Sequence, residues 1–167
     1  MNALANVEAG KYLNDNFVSS YQKVGTFTVN GAQKQGGNVA SYFCTPEGRV
    51  LHAIAGPVNA DALLREARWV VETSKLAELD GLTTDTKLRA FWRKAHSDRL
   101  AQEHQMDLKL TRRSLRGGPH PQLDSRGRVH LLLATAALPK LEQVYRLVFE
   151  KILNEKVSTA PVVRIGG

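Results

Sequence analysis

The stretch Gly36-Gly37-Asn38-Val39-Ala40-Ser41-Tyr42-Phe43-Cys44-Thr45-Pro46-Glu47-Gly48-Arg49-Val50-Leu51-His52-Ala53-Ile54-Ala55-Gly56 reads as two strands joined by a tight turn. Val39 to Thr45 is rich in β-branched and aromatic residues, which suit a pleated, half-buried surface. Pro46-Glu47-Gly48 supplies the turn, because proline pre-sets φ at the first central position and glycine tolerates positive φ. Val50 to Ala55 is the returning strand, and Gly56-Pro57 closes it.

On the C-terminal side of this hairpin the pattern changes from strand to helix. Asn59 is a candidate N-cap and Asp61 suits the positive end of the helix dipole. Ala60, Leu63, Leu64, Ala67, Val70 and Val71 fall on one face of a helix that runs to about Leu79, where Asp80-Gly81 stops it. Thr84 or Asp85 starts the next helix, with Leu88, Phe91, Trp92, Ala95 and Leu100 on its apolar side, to about Gln105. Residues 107–128 are polar and basic and read as a loop. Val129 to Ala137 is an apolar run that fits a buried helix or a strand equally well. Pro139 fits the first turn of a last helix through Val157, with Leu141, Val144, Tyr145, Val148, Ile152 and Leu153 as its stripe.

On the N-terminal side, residues 3–14 read as a short helix stopped by Asn14-Asp15-Asn16. Strands are expected near 17–22 and 26–29, then an Asn30-Gly31 turn and a polar loop from Ala32 to Asn38. This order of elements points to an α/β architecture.

The chain has 167 residues, 43% of them hydrophobic and 23% charged, enough for one domain with an extension. No run of about 18 apolar residues exists, so no transmembrane segment is expected. Met1 to Asn6 has neither the basic nor the apolar region of a signal peptide. A cytoplasmic location is the default expectation, and an exported one follows if a signal was removed ahead of Met1. Cys44 is the single cysteine, which excludes an intrachain disulfide and a multi-cysteine zinc site. The net charge is +7, and residues 81–130 carry eleven Lys or Arg against five Asp or Glu, so nearly all the surplus lies there.

Two motifs resemble the thioredoxin fold. Tyr12-Leu13-Asn14-Asp15-Asn16-Phe17-Val18 is similar to the end of that family's first long helix entering the central strand. Phe43-Cys44-Thr45-Pro46-Glu47-Gly48-Arg49-Val50-Leu51, followed by Gly56, is similar to its antiparallel hairpin of F-x-x-P-x-G-x-x-(L/V) type. The resemblance covers residues 7–79 and implies a thioredoxin-like sheet with flanking helices, the helix of residues 59–79 being the family's last. Residues 1–80 are thus expected to form the thioredoxin-like domain, N-terminally incomplete or not, and 81–167 a C-terminal helical extension with the basic loop 107–128. The redox hallmarks of the family are absent from this sequence. No C-x-x-C is present, and Gly37-Asn38-Val39 stands where the family places its cis-proline. Disulfide exchange needs an attacking thiolate and a resolving thiol, and one cysteine cannot supply both.

Candidate chemistry is sparse. Cys44 is the one candidate reactive thiol, and Arg49 and His52 across the hairpin are the cations that could activate it. His96 and His104, eight apart on one helix, share a face but need a third element to hold a metal. His120 and His130 with Asp124 could be drawn as an acid–base set, with Ser114 or Ser125 as nucleophile, but no spacing fixes their geometry. No nucleophile elbow, phosphate loop or dinucleotide fingerprint occurs, so no cofactor and no metal is expected. Arg112, Arg113, Arg116, Arg126 and Arg128 are the candidate anion- or partner-binding residues, backed by Lys87, Arg89, Arg93, Lys94 and Arg99 on the preceding helix. The leading expectation is a redox-inactive, non-catalytic interaction module with a protein partner or a second copy. Two alternatives stand beside it. One is a thiol–disulfide redox protein whose C-x-x-C lies upstream of Met1. The other is an electrostatic binder of nucleic acid or an anionic surface through residues 87–128.

Overall fold

A computed structural model describes residues 3–22, 27–30, 33–106 and 123–157, with only the backbone for 27–30 and 33–36. Among the described residues the architecture is mixed α/β, with five α-helices around short antiparallel ladders. Helix α1 (Val7–Asn16) is capped by Asn6, whose side-chain oxygen accepts from the Ala9 amide at 3.0 Å, and it buries Ala9 and Leu13. Residues 17–22, expected as a strand, carry no regular structure; Val18 and Tyr21 are exposed, and among the described residues no strand pairs with them. Strands β1 (Phe27–Asn30) and β2 (Gln33–Gly36) pair with each other, Asn30 opposite Gln33. The segment expected as a polar loop, Ala32 to Asn38, therefore contains a strand, paired antiparallel with β1.

Strands β3 (Ala40–Cys44) and β4 (Val50–Ala55) form the expected hairpin, Phe43 opposite His52 and Ala40 opposite Ala55. Gly48, at φ +74°, makes the turn, and its amide donates to the Thr45 carbonyl at 2.9 Å. The register shifts between Phe43 and Cys44. This lets Val50 and Ala53, which strict alternation would separate, join one apolar cluster.

Helix α2 (Ala60–Leu79) starts where Asn59 accepts from the Ala62 amide at 2.9 Å, and α3 (Asp85–His104) is capped by Thr84. Helix α4 (Ser125–Ala136) decides the ambiguous apolar run in favour of helix. Asp124 caps it, accepting from the Gly127 amide at 2.8 Å, so the last residues expected in the basic loop are helical. A Cβ on Gly127 would stand 2.9 Å from Leu123 Cδ2 and 3.1 Å from the His104 ring, so a glycine lets α4 approach α3 closely. Helix α5 (Leu141–Leu147) runs into a π turn, Val148–Ile152. Pro139 lies ahead of α5 rather than in its first turn. Its carbonyl accepts from the Val50 amide at 2.8 Å, so residues 139–141 line the start of β4.

The hairpin separates two apolar clusters. Phe43 and Ile54 pack with Leu13, Leu63, Ala67, Val70 and Trp92 from α1, α2 and α3. Val50 and Ala53 pack with Val129, Leu133, Val144 and Val148 from α4, α5 and the π turn. Among the described residues no helix is long and apolar enough to cross a membrane.

Candidate functional site

Beside these clusters lies a largely buried group of polar and aromatic side chains drawn from four elements. His52 comes from β4, Glu66 and Trp69 from α2, Trp92, His96 and Arg99 from α3, and Arg126 and His130 from α4. His52 and His96 are 1% exposed and His130 is fully buried, while Glu66 and Arg99 are also buried. Each follows from its local pattern. His96 sits between Trp92 and Leu100 at four-residue spacing, on the apolar side of α3. His130 adjoins Val129 and Leu133 on the inner face of α4.

The hydrogen bonds form two linked chains. His52 Nε2 lies 3.1 Å from Glu66 Oε2. Arg99 Nη1 donates to the same oxygen at 2.6 Å, and Arg126 Nη2 stands 2.8 Å from Glu66 Oε1. Both guanidinium groups also reach Glu103, at 2.7 and 3.0 Å. The second chain runs from the Leu51 carbonyl to His96 Nε2 (2.8 Å) and from His96 Nδ1 to His130 Nδ1 (2.8 Å). The rings stack: His52 lies 5.0 Å from His130 and 5.7 Å from His96, centroid to centroid, and Trp69 meets all three edge-on. Arg99 lies over Trp69 at 4.6 Å.

The electrostatics follow from burial and this pairing. Burial holds all three histidines below their ordinary range, with added repulsion from Arg99, and His96 falls to about 3. Their neutral forms are therefore the ones present at physiological pH. Burial raises the Glu66 carboxyl, but hydrogen bonds from His52 and Arg99 carry it well below the usual carboxylate range. Glu66 is thus the fixed anion of the group. Ligand-type atoms of His52, His96 and His130 all lie within 4.8 Å of one another, so these three could hold a metal ion.

The residues singled out on sequence occupy other places. Cys44 is half-buried on β3 against the Val50 cluster. Burial, then the Glu142 carboxylate, pushes its thiol pKa up. The expected cations do not activate it: His52 bonds Glu66, and Arg49 pairs with Asp85 at 3.2 Å. Arg112, Arg113 and Arg116 lie outside the described residues. Arg126 turns inward to Glu66 and Glu103, and Arg128 is exposed on α4. On α3, Arg89 and Lys94 pair with Asp85 and Asp98 one turn away, at 2.7 and 2.6 Å. His96 does not work with His104; its partner is His130, with His52 stacked alongside. The available signal was a histidine interrupting the apolar positions of each of three elements, but nothing in the spacing says that those positions converge.

Compared with known proteins, the chain matches no family model, no curated protein and no solved structure.

Proposed function

We propose that the chain is a binding module built on a thioredoxin-like scaffold and that it does not exchange disulfides. The observation that carries this reading is Cys44, the only thiol in the sequence, half-buried with its pKa raised by burial and by Glu142. The scaffold part of the proposal rests on the Phe43–Leu51 motif and on the hairpin followed by α2; residues 17–22, which the Tyr12–Val18 motif would lead into the central strand, carry no regular structure. Support for a protein partner, another protein or a second copy, comes from Val7, Val18 and Tyr21, which are between 86% and 103% exposed along one N-terminal stretch. Insulin reduction in the presence of dithiothreitol tests the reading. The chain should add nothing to the rate of dithiothreitol alone, and a clear acceleration would overturn it.

The charge surplus of residues 81–130 favours a second reading, contact with an anionic polymer or surface. Heparin-column retention should fall steeply with salt and drop in an Arg112/Arg113/Arg116→Ala chain. Retention insensitive to both would end this reading.

A further inference from the structure

Beyond its scaffold role, we propose that the chain binds one divalent transition-metal ion of the zinc class on the imidazoles of His52, His96 and His130.

The hydrogen bonds determine which nitrogens are free. The Leu51 carbonyl can only accept, so His96 Nε2 carries the proton and Nδ1 presents a lone pair. That lone pair accepts from His130, so His130 Nδ1 carries a proton and its Nε2 is bare. Glu66 is the acceptor for His52 Nε2, which leaves His52 Nδ1 bare. His52 Nδ1 and His130 Nε2 are buried and have no hydrogen-bond partner among the described residues. Buried polar atoms in folded proteins are nearly always satisfied, so two orphaned imidazole nitrogens on rings 5.0 Å apart call for an occupant. The third lone pair, on His96 Nδ1, accepts from His130 Nδ1, and a turn of the His130 ring that brings its bare Nε2 toward His96 both frees that lone pair and aims the two at one ion.

The surroundings match those of a metal centre. Histidine ligands characteristically donate their remote N–H to a carboxylate or a backbone carbonyl. Here Glu66 and the Leu51 carbonyl play those two parts for His52 and His96. Glu66 is itself fixed by Arg99 and Arg126, so the ring it orients is held in place. Nitrogens on one tetrahedral zinc at about 2.0–2.1 Å stand about 3.3–3.4 Å apart, so ligand atoms now within 4.8 Å of one another close by at most about 1.5 Å on binding. Neutral imidazoles with no thiolate suit zinc, cobalt, nickel or copper rather than calcium or magnesium. A surface cleft of about 600 Å³ between α2 and α3 is lined by Trp69, whose ring meets all three histidines, and by Arg99, which lies over Trp69.

The test uses the tag-free full chain, unfolded with a chelator and refolded with or without one equivalent of Zn²⁺, then passed through gel filtration. One zinc per chain should be retained and the melting temperature should rise. In long-range ¹H–¹⁵N spectra the ring nitrogens of His52, His96 and His130 should shift on zinc addition, and those of His104 and His120 should not. A His130→Asn chain should bind zinc at least about tenfold more weakly, and His104→Asn should bind as the parent does. If His130→Asn fails to fold, the ring shifts of the parent decide. Three results would overturn the site: no zinc retained, ring shifts confined to His104 or His120, or spectra and melting temperature indifferent to zinc because a buried water alone occupies the group.

Discussion

Val50 and His52 stand two residues apart on β4 and both are 1% exposed, yet they belong to different kinds of interior. Val50 lies in an apolar layer with Val129, Leu133, Val144 and Val148, where every contact is non-directional. His52 lies in a polar nucleus, where Glu66 must meet it from α2 and where Arg99, His96 and His130 arrive from α3 and α4. The layer asks for apolar volume, and many side chains supply that. The nucleus asks for particular atoms at particular distances, because a buried charge or lone pair left alone carries the full cost of its lost hydration. One strand thus carries a tolerant face and an intolerant one.

The largest effect is expected from breaking the nucleus at its anion. Glu66→Leu leaves buried Arg99 with Glu103 as its one remaining carboxylate among the described residues and takes away the acceptor of His52, and it should cost about 3 kcal/mol in urea unfolding. Adding Arg99→Met should restore part of that loss, since the buried charge that lost its nearest carboxylate goes with it; a double variant as unstable as the sum of the two singles would erase the contrast between the regions.

In the apolar layer, Leu133→Ala should cost about 2–5 kcal/mol through lost burial and the cavity left behind. Unlike the ion pair, it has no partner whose removal rescues it. Leu133→Met, close in volume, should cost under about 1.5 kcal/mol by the same measurement. A methionine variant as damaging as the alanine one would show that the layer is as particular as the nucleus.

The smallest effect concerns Cys44, the thiol at the margin of the apolar layer. Its folded pKa is raised by burial and by Glu142, so thiolate forms at higher pH in the folded chain than in the unfolded one. Iodoacetamide alkylation should therefore rise with pH later in buffer than in urea. The stability that this neutral thiol contributes is present below the unfolded thiol pKa and is lost as pH climbs through the folded one. Coincident alkylation profiles in the two solvents would remove Cys44 from the buried layer.

Much of the fold is legible along the chain. The Pro46-Glu47-Gly48 turn, the Asn59 and Thr84 caps and the stripes of α2 and α3 are local signals, and the structure carries each where the sequence places it. The strand expected over 17–22 is absent because composition alone does not supply a pairing neighbour. The helical run of α4 is ambiguous in sequence, since a segment buried on several sides shows no periodicity to measure. The candidate site is the least legible part. Cys44 and the arginines stand out by residue type, whereas His52, His96 and His130 are separated by 44 and 34 residues and carry no motif.

The sequence by itself determined the hairpin, the long helices, the single thiol and the segregation of positive charge, because turn chemistry, capping, periodicity and composition act over a few residues. Only the tertiary structure decided which polar side chains share the interior, which arginines are paired and which nitrogens stand bare. Those outcomes depend on helices α2, α3 and α4 and strand β4 meeting at one point, a matter of packing between distant segments that no local pattern encodes.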